Sequence, residues 1–125
     1  MPVAHVTFGT TDLERGATFY DAIITEFGGA RLFTTDRSLG WSFAEGGPSI
    51  GITYPFDGQP ANFGNGTMFA LMAADEDQVR RVHAAALAHG GSDEGAPGVR
   101  AHGAFAAYFR DPDGNKMNCF CRPPA

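Results

Sequence analysis

An α+β fold made of two repeated β-α-β-β-β modules, together forming an open sheet that encloses a cavity, follows from three observations on this chain. The sequence resembles itself at an offset of 63 residues, each copy holds a capped helix that stops at a glycine pair, and short alternating segments follow each helix. In the offset, Val6 and Phe8 fall on Phe69 and Leu71, Asp12 on Asp75, Phe19 on Val82, Ala22 on Ala85, Ile24 on Leu87 and Gly28 on Gly91. A unit of 125 residues is the size of one domain. It spans 1–125, with module one over about 1–56, module two over about 64–125 and the Gly- and Pro-bearing stretch from Pro55 to Gly66 as connector.

Each element has its own local reason. Thr11-Asp12-Leu13-Glu14 is a capping-box pattern, and Asp75 caps the second helix with Gln78 three residues on. Leu13, Ala17, Tyr20, Ile24 and Phe27 recur at helical spacing before Gly28-Gly29, as Val79, Val82, Ala86 and Leu87 do before Gly90-Gly91. Strand character follows over Ala30 to Thr34, Leu39 to Ala44 and Ser49 to Tyr54 in module one. In module two it covers Gly103 to Phe109 and Lys116 to Cys121, with a weaker strand near Ser92 to Gly95. Asp111-Pro112-Asp113-Gly114-Asn115 is a turn that makes the last two strands a hairpin.

Composition excludes several classes of partner. A formal charge of −5 with interspersed signs gives no footprint for nucleic acid or an anionic membrane. No apolar run approaches the roughly 20 residues of a membrane span, and Met1 to Thr10 lacks the layout of a signal peptide, so a cytoplasmic location is the expectation. Cys119 and Cys121 share one strand face about 7 Å apart, too constrained to bridge, and read as buried free thiols suited to a reducing compartment.

Strand alternation then sorts the faces. Val6, Phe8, Phe69, Leu71, Ile50, Ile52, Met117, Cys119 and Cys121 form the helix side. His5, Thr7, Met68, Ala70, Met72, Ser49, Gly51, Thr53, Lys116, Asn118 and Phe120 are left opposite, a mixed surface of the kind that lines a ligand cavity. A solvent face or an oligomer contact is the alternative for that surface. Trp41 and Tyr54 are lining candidates because each has a polar handle, and Tyr108 competes with Phe109 for the inward position. Of the four histidines, His83 and His89 belong to the second helix, while His102 precedes a strand beside Gly103, where a loop side chain can hang over a pocket mouth.

His5-Val6-Thr7, the run from Asp12-Leu13-Glu14-Arg15 to Phe19-Tyr20, and Asp111-Pro112-Asp113-Gly114-Asn115-Lys116 give the chain a likeness that covers nearly its whole length. It resembles the small vicinal-oxygen-chelate proteins of the glyoxalase, bleomycin-resistance and extradiol-dioxygenase kind. The resemblance implies modules rolled around an open cavity, commonly a homodimer, and small-molecule chemistry such as thiol-adduct isomerisation, ring-cleaving oxygenation or drug sequestration. Metal-using members place ligands at four positions, which fall here on His5, Gly51, Met68 and Asn118. Only His5 is a strong ligand, whereas a catalytic divalent ion needs about three imidazole, carboxylate or thiolate donors. No tight metal site is expected, and any divalent cation would be weakly held.

Three functions are therefore weighed. The first is a small-molecule-binding protein or enzyme without the usual metal, in which His5, with His102, moves a proton and Asn118 donates to an oxyanion. Its substrate-binding set is Thr7, Trp41, Gly51, Tyr54, Met68, Ala70, Tyr108 and Phe120. The second is a metal-dependent lyase or isomerase acting on a thiol adduct. The third is a non-catalytic protein that sequesters a drug.

Overall fold

The computed structural model describes residues 2–123. Its order is β1 (His5–Gly9), α1 (Leu13–Thr25), β2 (Ala30–Thr34), β3 (Ser38–Ser42), β4 (Ser49–Thr53), β5 (Met68–Met72), α2 (Glu76–Ala88), β6 (Ser92–Val99), β7 (Phe105–Arg110) and β8 (Lys116–Cys121). Two four-stranded sheets result, β1-β4-β3-β2 and β5-β8-β7-β6, each with one parallel pair (β1 with β4, β5 with β8) and otherwise antiparallel. Both are two β-α-β-β-β modules of one α+β fold, and the sheets are not closed: β1 and β5 each keep one edge free. No helix among the described residues is long and apolar enough to cross a membrane.

The repeat is carried by the first half of each module. β5 begins 63 residues after β1 and α2 begins 63 after α1, but β8 begins 67 after β4. The added length lies in β6, with eight residues against five in β2, and in the turn that follows it. That slip is why the self-similarity stops at the helix ends. The helices stop where the glycine pairs stand, with Gly28 and Gly90 at φ +72° and +100°, a region that side chains with a Cβ avoid.

The first cap differs from the expected box by one residue. Asp12, not Thr11, is the N-cap, accepting from the Arg15 N–H at 3.1 Å. Thr11 is taken instead by Asp113, which accepts its N–H at 2.9 Å and its hydroxyl at 3.0 Å, so a carboxylate from module two displaces the local partner. Asp75 caps α2 through the Gln78 N–H at 2.8 Å, and the Gln78 side chain accepts from the Ala74 N–H.

Both sheets turn their helix sides into one core. Phe8 meets Phe69 edge-on with ring centroids 5.7 Å apart, and Phe19 meets Phe109 at 6.1 Å. Ile50, Ile52, Met117 and Cys119 are buried there as alternation predicted, Cys121 is buried beside them, and both thiols are free.

A buried polar clamp fastens the module junction. Asp111, 3% exposed, accepts four hydrogen bonds: from the Tyr20 hydroxyl (2.6 Å), Asn115 Nδ2 (2.8 Å) and the N–H groups of Asp113 and Asn115 (2.9 Å each). Burial pushes its carboxyl above the usual aspartate value, although the Tyr20 and Asn115 hydrogen bonds pull the other way. Burial, then the Asp111 charge, raises the Tyr20 phenol well above its usual value and keeps it a donor. Asn115 Nδ2 also donates to the Gly9 carbonyl at 3.1 Å, and Asp113 takes the Thr10 hydroxyl at 2.6 Å and Arg15 at 2.6 Å. The Asp-Pro-Asp-Gly-Asn turn therefore does more than reverse the chain: its side chains hold module two to the start of α1.

Candidate functional site

Because the helix sides share one core, the opposite faces turn away from it and carry the candidate site. On module one the face is small and polar. Thr7 is registered with Gly51, which pairs in turn with Gly40, and His5 stands opposite Ser49. Gly40 is glycine because the Phe33 ring lies over it, where a Cβ would meet a ring carbon at 2.2 Å. His5 and Thr7 are exposed, and Gly51 is buried beneath the face.

Module two presents larger groups in the same frame. Asn118 lies between Ala70 on β5 and Tyr108 on β7, while Met68 pairs with Lys116 and Met72 with Phe120. Tyr108 is the open-face residue and Phe109 the buried one, which resolves the parity of that strand. The Tyr108 ring carries two cations, the Arg100 guanidinium at 5.4 Å and the Lys116 ammonium at 5.6 Å from its centroid. Asn118 is 7% exposed, and its Oδ1 is buried with no hydrogen-bond partner among the described residues.

Two lining candidates lie elsewhere. Trp41 is 1% exposed on the helix side of β3, where its indole N–H donates to Asp21 at 2.7 Å and its ring lies 5.3 Å from Tyr20. Its polar handle is satisfied by α1, so the reason for expecting it in the cavity disappears. Tyr54 follows β4 and accepts from the Leu13 N–H at 3.4 Å, lining a cleft of about 340 Å³ at the start of α1 with Thr10, Pro55 and Pro60. His102 is exposed in the turn before β7. Of the described histidines only His83 and His89 are hydrogen-bonded, to Asp93 at 2.9 Å and to the Ala85 carbonyl, so no partner orients His5 or His102 as a base.

The larger cleft, about 630 Å³, touches the open face of module two only at Ala70 and Met72. It runs beside the free edge of β5, between Phe27, Phe43 and Pro48 of module one and Phe69, Leu71 and Gln78 of module two.

The four family metal positions are thus split two and two, His5 and Gly51 on module one and Met68 and Asn118 on module two. Among the described residues no three His, Cys, Asp or Glu side chains gather around one point. One imidazole, one amide and one thioether do not make the donor set of a catalytic zinc, nickel or iron ion. What the sequence reading missed is the cationic pair on Tyr108, since Arg100 reaches it from outside the strand's alternation.

Comparison with known proteins agrees with this fold. The chain is similar to a glyoxalase/bleomycin resistance protein from Albidiferax ferrireducens, with 36% identity over 98% of this chain and 100% of that one, and a TM-score of 0.90. The fold also matches the fosfomycin resistance protein FosX from Listeria monocytogenes, a structure complexed with Mn(II) and sulfate, at 16% identity and TM-score 0.71 over 97% of this chain and 90% of that one. It matches lactoylglutathione lyase from Agrobacterium tumefaciens at 17% identity and TM-score 0.69, over 97% and 94%. No curated protein matches the chain. The family profile of the glyoxalase/bleomycin resistance protein/dioxygenase superfamily matches residues 3–118, and the chain belongs to that superfamily.

Proposed function

We propose that this protein binds a small molecule on its open sheet faces without a tightly held divalent metal, unlike the FosX structure complexed with Mn(II), and that it acts as a homodimer. The observation that carries the reading is the donor set: of His5, Gly51, Met68 and Asn118, only the first is a strong ligand. The metal-dependent lyase reading is weakened by the same set. Proton transfer is weakened by a His5 imidazole that no neighbour orients, so sequestration of a ligand is the version best supported.

The dimer is supported by the free edges of β1 and β5 and by exposed apolar side chains on or beside the open faces, including Phe33, Met68 and Met72. A second copy that brings its module one over module two of the first would turn two open faces into one enclosed site. The buried unbridged thiols suit a reducing cytoplasm. Elemental analysis after purification without chelators tests the metal claim, and a stoichiometric divalent ion would overturn it. Light scattering at micromolar concentration tests the dimer, which a monomeric mass would refute.

A further inference from the structure

We infer that the open face of module two is an organic-acid site: the ligand's acid group sits on Lys116, a ligand hydroxyl or N–H donates to Asn118 Oδ1, and the apolar body lies against Tyr108 and Phe120. This rests on the reading that the open faces bind a small molecule, and names the chemistry of that molecule.

The charge distribution is the first support. The chain is acidic overall at −5, yet Arg100, Arg110 and Lys116 converge on this one face. Arg110 is paired with Glu94, and Arg100 is bound to the Gly98 and Ala96 carbonyls at 2.9 and 2.8 Å. Lys116 forms no salt bridge among the described residues, and the Glu94 carboxylate that feels its charge is already held by Arg110. Its ammonium is the group left to receive an external anion.

Asn118 is the second, independent support. A buried acceptor without a donor destabilises the fold, and a leucine of similar shape would remove that cost. An amide kept there at a loss is explained by a donor that arrives with the ligand. Lys116 and Asn118 stand two residues apart on one face of β8, about 7 Å between backbones, within reach of one small ligand given the flexible lysine stem. Oδ1 is sealed from solvent in the free protein, so the ligand meets it by turning the amide outward beside Ala70, its small register partner on β5.

The test uses the intact chain and three probes: mandelate, phenylacetate, which lacks only the hydroxyl, and neutral benzyl alcohol. Binding is followed by calorimetry and by amide chemical shifts. Mandelate should bind about tenfold more tightly than phenylacetate, the value of one hydrogen bond to an otherwise unpaired acceptor. Asn118→Leu should erase that preference and raise the melting temperature of the ligand-free protein by a few degrees. Lys116→Met, at a half-exposed site, should weaken both acids at least tenfold and leave benzyl alcohol unchanged. A preference for mandelate that survives Asn118→Leu, or acids that bind no better than benzyl alcohol, would overturn the inference. If benzyl alcohol still perturbs the open-face amides in that case, the small-molecule reading stands; if no probe perturbs them, both fall.

Discussion

The open faces of the two modules are built on one frame and have opposite characters. On module one the row across the sheet reads Thr7, Gly51, Gly40, with Phe33 folded over the last; on module two it reads Ala70, Asn118, Tyr108. The helix sides have not diverged in this way: Ile50 and Ile52 correspond to Met117 and Cys119, all buried and apolar. A shared core constrains volume on the helix side, whereas an open face answers only to what binds it. The contrast teaches that the duplicated frame was kept for stability and the faces were free to specialise.

Installing metal ligands breaks the contrast most directly. Met68→His combined with Asn118→Glu places two strong ligands on module two, and with His5 as a third should raise zinc affinity by orders of magnitude in an equilibrium titration. Adding His5→Ala to that variant should return most of the gain. If His5→Ala changes nothing, the two faces do not meet around one site.

The module junctions offer a second contrast. At the start of α1 the clamp is buried, and Asp111→Ala strands the Tyr20 hydroxyl, Asn115 Nδ2 and two backbone N–H groups. Chemical denaturation should show a loss of about 3–5 kcal/mol. A loss under about 1 kcal/mol would mean that water replaces the carboxylate.

A pH difference between the modules follows from the position that holds Ile52 in one and Cys119 in the other. Burial first, and the neighbouring Cys121 second, push the Cys119 thiol from 9.0 up to about 12. The unfolded chain loses this proton near 9 and the folded chain keeps it to about 12, so stability is intact below pH 9 and falls as pH rises through that window. The slope is about 1.4 kcal/mol per pH unit, or about 2–3 kcal/mol by pH 11. Cys119→Val should flatten the alkaline limb of the stability profile, and an unchanged limb would assign the loss to other groups.

The smallest effect belongs to the junction at the start of α2. Arg81 pairs with Glu26 at 3.1 Å with the arginine 55% exposed, so Arg81→Ala should cost under about 1 kcal/mol by the same denaturation measurement. A cost near that of Asp111→Ala would erase the contrast between a buried and an exposed junction.

Local chemistry in the sequence was enough to determine the helices and most strand faces, though not those of Trp41 and Tyr108. Helix caps, glycine stops and strand alternation act between residues a few positions apart, so α1 and α2, the β7–β8 hairpin and the buried rank of Met117 and Cys119 were legible without coordinates. The four positions His5, Gly51, Met68 and Asn118 rest instead on the resemblance to the superfamily, not on local chemistry. Tertiary structure alone decided which distant partner several polar groups take. Trp41 was expected in the cavity but finds Asp21, Thr11 was expected to cap a helix but finds Asp113, and Asp111 looked like a turn residue but anchors Tyr20 from 91 positions away. The physical reason is that a polar side chain pairs with the best donor or acceptor within about 3 Å, and which one is that close depends on how the two modules pack, not on the residues beside it in the chain.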